Sequence, residues 1–289
     1  MHTTVYLCNR QVQALVGSPG RRPKIRLARQ LALKEGSLIN GVIVDEEALA
    51  AELKGLLAGL PQKGLRLVLD SGQLLTRSLQ LPPLRAAETL AMAQKEFQAA
   101  GREGDLVDYM TFAPRKGETM ASVLCCAAQA DFVARYVSLF GGMGVKLAGV
   151  TIALAAHLRL VDGLPFFQDK TCVLLSFDGD TMLAVLLENG RYKYATRARL
   201  LGEGPQALAD EVTRTVSGIV QFQASEKSAY RISAAYFGGC GAESLSACAP
   251  GIRSLGMAAE WFPESNRFRF MDGSLLRDCL FTAGEYLAR

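Results

Sequence analysis

The chain has 289 residues, 49% of them hydrophobic and 21% charged, with a formal net charge of +4 at pH 7. That length exceeds the usual size of one compact core and favours two domains of similar size, while the balance of apolar and charged residues excludes a disordered chain. The charge is too small for a dedicated nucleic-acid binder, and the richest apolar stretch, Leu147 to Val161, is interrupted by His157 and Arg159 and is too short to span a bilayer.

Val5 to Leu7 and Val12 to Val16 read as paired strands joined through Asn9-Arg10, with a third strand near Ile25 to Leu33. Between them Arg21, Arg22, Lys24, Arg26 and Arg29 form the one basic cluster, a charged hairpin edge that could also touch anionic lipid or phosphate. Asp45-Glu46-Glu47 opens a helix with Leu49, Leu53, Leu56 and Leu57 on one face, ending near Gly59. Leu65 to Leu69 is a buried strand and Leu74 to Leu81 an alternating one, stopped by Pro82-Pro83. A helix over Ala86 to Ala100, strands over Val107 to Phe112 and Ser122 to Ala128, and an amphipathic helix over Asp131 to Phe140 follow.

The second half repeats the opening. Cys172 to Phe177, Met182 to Leu187 and Arg191 to Arg197 are strands separated by Asp178-Gly179-Asp180 and Glu188-Asn189-Gly190. A long helix runs from Gly204-Pro205 to about Ser225, then a strand over Ile232 to Phe237, the Gly238-Gly239-Cys240-Gly241 turn, a helix from Ala242 and a closing helix from about Ser274. Both halves are thus ordered β-β-β-α. The class is α/β, and the duplication is what a two-lobed, ribonuclease H-like actin fold requires.

Seven cysteines are scattered through apolar segments without C-x-x-C spacing and read as buried thiols of a reducing compartment. Met1-His2-Thr3-Thr4 enters the first strand without the basic start of a signal peptide, so the expected location is the cytoplasm. His2 and His157 are the only histidines, too few for a histidine metal site, and Cys125-Cys126 in a strand point to opposite faces. Gly141-Gly142-Met143-Gly144 follows a helix and lacks the lysine of a phosphate loop. No catalytic residue and no metal site emerges.

Several phrases resemble the PilM family of type IV pilus assembly proteins. They are Asn40-Gly41 before the first-lobe helix, Thr76-Arg77-Ser78-Leu79-Gln80-Leu81-Pro82, Asp108-Tyr109, Glu188-Asn189-Gly190 with Thr196-Arg197, Phe237-Gly238-Gly239 and the terminal Ala283 to Arg289. The resemblance implies an actin-like fold, with residues 1–160 as the first lobe, a small α+β subdomain inserted at about 74–150, and 161–289 as the second lobe. It implies a place at the cytoplasmic face of the inner membrane, a PilN-like membrane protein whose tail docks near Leu79, Leu81 and Leu84, and a pilus or secretion ATPase as a further contact.

The actin-like fold binds magnesium-ATP with an aspartate and a glycine at each of two hairpins. Here the first hairpin carries Asn9 and Arg10. The second puts Ser176 at the usual aspartate and Asp178 at the usual glycine, with Gly179 beside it, and only Gly238-Gly239 on the adenosine side keeps the pattern. The expectation is a scaffold without cofactor; the alternatives are an ATP- and magnesium-binding ATPase or small-molecule kinase, and a filament-former.

Overall fold

A computed structural model describes the chain except residues 113, 115–116, 201, 203, 264–268, 271–280 and 288–289, with backbone alone at 269–270. The first lobe opens with the antiparallel meander β1 (His2–Leu7), β2 (Gln11–Ser18) and β3 (Lys24–Ala32). A short hairpin, β4 (Leu38–Ile39) and β5 (Val42–Ile43), turns at Asn40-Gly41 with φ of 49° and 74°, the left-handed pair that a tight hairpin needs. α1 (Glu46–Leu57) is capped by Asp45, whose carboxylate accepts the Ala48 N–H at 3.0 Å. At its other end Arg29 donates to the carbonyls of Leu56 and Ala58 at 2.9 and 2.8 Å, so this member of the basic cluster caps a helix.

β6 (Leu65–Leu69) runs parallel to β1. β7 (Leu75–Leu81), α2 (Ala86–Ala99), β8 (Leu106–Phe112) and β9 (Ala121–Ala128) then build a separate sheet in the order β7-β9-β8. α3 (Ala130–Gly142) and β10 (Leu147–Ile152) return to the first lobe, and α4 (Ala153–Asp162) follows directly. The inserted unit therefore ends near Ala128, short of residue 150. Phe132, Tyr136, Leu139 and Phe140 of α3 pack with Leu49 and Leu53 of α1, and β10 pairs with β6. Burial of such side chains is worth roughly 1.5–3 kcal/mol each, which ties α3 to the first lobe.

The second lobe has β11 (Cys172–Asp178), β12 (Thr181–Glu188), β13 (Arg191–Arg199), α5 (Gly204–Ser225), β14 (Ala234–Gly238), α6 (Ala242–Ser254) and β15 (Ala258–Trp261). Its sheet order, β13-β12-β11-β14-β15, repeats β3-β2-β1-β6-β10 of the first lobe, with the same two antiparallel and two parallel pairings. The duplication read from the β-β-β-α order is real at the level of topology.

The chain end crosses back, so 161–289 is not one lobe. β16 (Arg269–Phe270) pairs with β3, and Leu287 bridges Gly20. Tyr286 donates to the carbonyls of Leu15 and His2 at 2.6 and 3.1 Å, and Thr282 donates to Gln13 at 2.8 Å. The expected start of a closing helix at Ser274 lies outside the described residues; 281–283 are helical and pass into a 3-10 turn at Gly284–Tyr286. No described helix is long and apolar enough to cross a membrane.

Candidate functional site

The two first hairpins of the lobes face each other. At the tip between β1 and β2, Asn9 accepts the Gly41 N–H at 2.9 Å, and Arg10 reaches Glu35 at 3.2 Å and Asp180 at 3.6 Å. At the tip between β11 and β12, Gly179 has φ of 61°, and a Cβ there would lie 2.6 Å from the Arg10 Cβ. The hairpins are in contact, with no room for a group between them at that point.

Asp178 is the centre of the contact. Its carboxylate is 4% exposed and accepts the Tyr6 hydroxyl at 2.9 Å and the Gln11 amide at 2.5 Å, both from the first lobe. Burial pushes the carboxyl up from 3.8 to about 6, and Asp70 adds to the rise, while hydrogen bonds from Cys8, Tyr6 and Gln11 oppose it. Burial, with Asp178 next, raises the Tyr6 phenol well above its ordinary value, so Tyr6 stays a donor. Asp70, at the end of β6, receives both Nε and Nη2 of Arg197, the former at 2.7 Å. Arg10, Arg197 and Arg199, the arginines paired at the tips, each face a carboxylate, Asp180 for the first and last and Asp70 for Arg197.

The other expected nucleotide residues lie one step along the cleft. Ser176 in β11 is opposite Gly238 in β14 and is buried. A Cβ on Gly238 would lie 2.5 Å from the Phe281 ring, which itself stacks on His157 at 4.0 Å, so Phe281 covers the glycine turn. Gly239, with φ of 75°, lies against the Phe177 carbonyl. His157 is a core residue: its Nδ1 is 2.6 Å from the Ala153 carbonyl, and burial lowers its pKa to about 4, which keeps it neutral. Among the described residues, no group of three His, Cys, Asp or Glu is placed to hold a metal ion.

The three leucines expected at a partner groove are not together in one. Leu81 is buried and Leu79 half-buried in the small core beneath α2, with Phe97, Val123 and Cys125, whereas Leu84 is 38% exposed in the turn after β7. The groove that the structure shows is on the other side of the inserted sheet. It has a volume of about 170 Å³ and runs between β8 on one wall and β10 and α4 on the other, with Leu106, Met110, Val133, Val150, Ile152 and Ala155 as its apolar lining. Both walls are strand edges: among the described residues β8 pairs only with β9, and β10 only with β6. Arg159 closes one end and is paired with the buried carboxylate of Glu285. The signal in the sequence was the alternation Leu106, Asp108, Met110, which marks a strand face but not what covers it.

No family model matches the chain, and no curated protein matches it by sequence. Its fold is similar to a chain of the PilM–PilN type IV pilus biogenesis complex, with a TM-score of 0.80 at 15% identity over 99% of this chain and 97% of that one. It is also similar to a Bacteroides thetaiotaomicron protein with an actin-like ATPase fold (0.55, 9% identity, 99% and 95% covered). A third similar structure is the cytoplasmic domain of EpsL, an inner-membrane component of the type II secretion system of Vibrio cholerae (0.51, 13% identity, 98% and 94% covered). The chain has the actin-like fold.

Proposed function

We propose that this chain is a non-catalytic actin-like scaffold of a type IV pilus or related secretion platform, which binds the cytoplasmic tail of a PilN-like membrane protein. The observation that carries the loss of catalysis is the bond set around Asp178. In the actin-like fold phosphate lies between the two hairpins, and here that place holds a carboxylate bonded to Tyr6 and Gln11, with Phe281 over the glycine turn. A second anion beside Asp178 and Asp70 would be repelled, and the nearby arginines are already engaged.

The groove beside the inserted sheet supports the binding role. Two open edges and an apolar floor suit an extended segment, which gains affinity from main-chain pairing and from pockets for alternate side chains. The likeness to a PilM–PilN complex chain and to EpsL supports an address at the cytoplasmic face of the inner membrane, with a pilus or secretion ATPase as a further contact.

Isothermal titration tests this. A synthetic tail peptide of a PilN-like protein from the same organism should bind, and magnesium-ATP should not. Leu106→Glu, at a half-exposed wall position, should weaken the peptide at least about tenfold without changing the melting temperature. Tight magnesium-ATP binding with phosphate release would replace this reading by the ATPase or kinase one. Arg21, Arg22 and Lys24 are exposed beside the β2–β3 turn, and the triple charge reversal should reduce co-sedimentation with phosphatidylserine vesicles severalfold at low salt. Unchanged co-sedimentation would remove the membrane contact.

A further inference from the structure

We propose that Asp108 makes the groove selective for a tail with a cationic side chain flanked, two residues away on either side, by apolar ones; this rests on the tail-binding reading. Strand geometry sends alternate residues to opposite faces. All five residues from Leu106 to Met110 border the groove, but Val107 and Tyr109 also pack against the small core beneath α2, so the alternation turns Leu106, Asp108 and Met110 toward the first lobe. Asp108 thus stands between two apolar wall positions, opposite Cys126 of β9.

The two charged residues of the lining are not equivalent. Arg159 is paired with Glu285, so an occupant need not supply it with an anion. Asp108 is exposed, one of its oxygens takes the N–H of its own neighbour Tyr109 at 2.8 Å, and among the described residues no cation is in salt-bridge range. A tail laid along the wall removes water from that carboxylate. Taking a carboxylate out of water is costly unless an opposite charge replaces the water, so a neutral or acidic tail is penalised and a cationic one selected. An extended tail has the same period of two, so residues two before and two after its cation meet Leu106 and Met110.

The test titrates the full chain, Asp108→Asn and Asp108→Lys with the PilN-like tail peptide, and with versions whose lysines and arginines are replaced by glutamine or by glutamate. Wild type should bind the native peptide about tenfold or more tightly than Asp108→Asn does, with an affinity that falls as salt rises, and Asp108→Lys should prefer the glutamate peptide. Melting curves should coincide, because the residue is exposed. Equal affinity of wild type and Asp108→Asn for the native peptide overturns this inference and leaves the groove as the tail site. Failure of the folded wild type to bind any of the peptides overturns the tail-binding reading and this one together.

Discussion

Glu285→Ala is expected to lower the unfolding free energy by about 1.5–3 kcal/mol, the usual contribution of a hydrogen bond to a charged group. The Glu285 side chain is 1% exposed, and the Arg159 side chain, which also borders the groove, is 14% exposed. The pair joins α4 to the returning chain end, where Tyr286 is bonded into the first meander and a Cβ on Gly284 would lie 2.1 Å from the Ala156 carbonyl. Urea unfolding of the full chain measures the effect. The double replacement Arg159→Met with Glu285→Leu should recover most of the loss, because both charges are then replaced by apolar groups of similar volume. If Glu285→Ala unfolds at the wild-type urea midpoint, the ion pair does not clasp the chain end to α4. The groove should feel the loss as well, since Arg159 closes one of its ends.

None of that clasp was legible in the sequence. Arg159 and Glu285 are 126 residues apart, and one Glu near a chain end carries no local signal that it is buried. The meanders were legible because their turns are chemical: Asn9-Arg10, Asp178-Gly179 and Asn189-Gly190 interrupt strongly apolar strands, and Asn189 does take a positive φ of 48°. The run from Leu147 to Val161 was not, because β10 passes into α4 at Ile152–Ala153 without proline, glycine or a side-chain cap to mark the change of period. Leu79 and Leu81 show the same limit at the candidate site. Alternation identified a strand with a buried face, but whether α2 or a partner covers that face depends on contacts distant in sequence. At the hairpins, a carboxylate at the turn between β11 and β12 could be read from Asp178 itself. That Tyr6 and Gln11 would close on it across the lobes could not, since both lie in the other half of the chain.

Asp178→Asn is expected to stabilise the protein by up to about 3 kcal/mol at pH 8 and to leave it unchanged near pH 4. The native carboxyl titrates at about 6 instead of 3.8, so between those values the folded chain holds a proton that the unfolded chain has released. Unfolding then releases a proton, stability falls as pH rises through this window, and a displacement of roughly two pKa units corresponds to about 3 kcal/mol. Asparagine has the shape of the neutral carboxyl and can keep a bond with Tyr6, so the variant should behave at all pH values as the wild type does when protonated. The measurement is the difference between the two urea midpoints from pH 4 to pH 8, in which the other titrating groups cancel. A flat difference would mean that the carboxylate is solvated and the lobes are not latched at this point. The same variant bears on function. Removal of the charge alone should not create a site for magnesium-ATP, because Gly179 still touches Arg10 and Phe281 still covers Gly238. If Asp178→Asn bound the nucleotide, closure of the cleft would rest on one charge, and the chain would be a single substitution away from a nucleotide-binding protein.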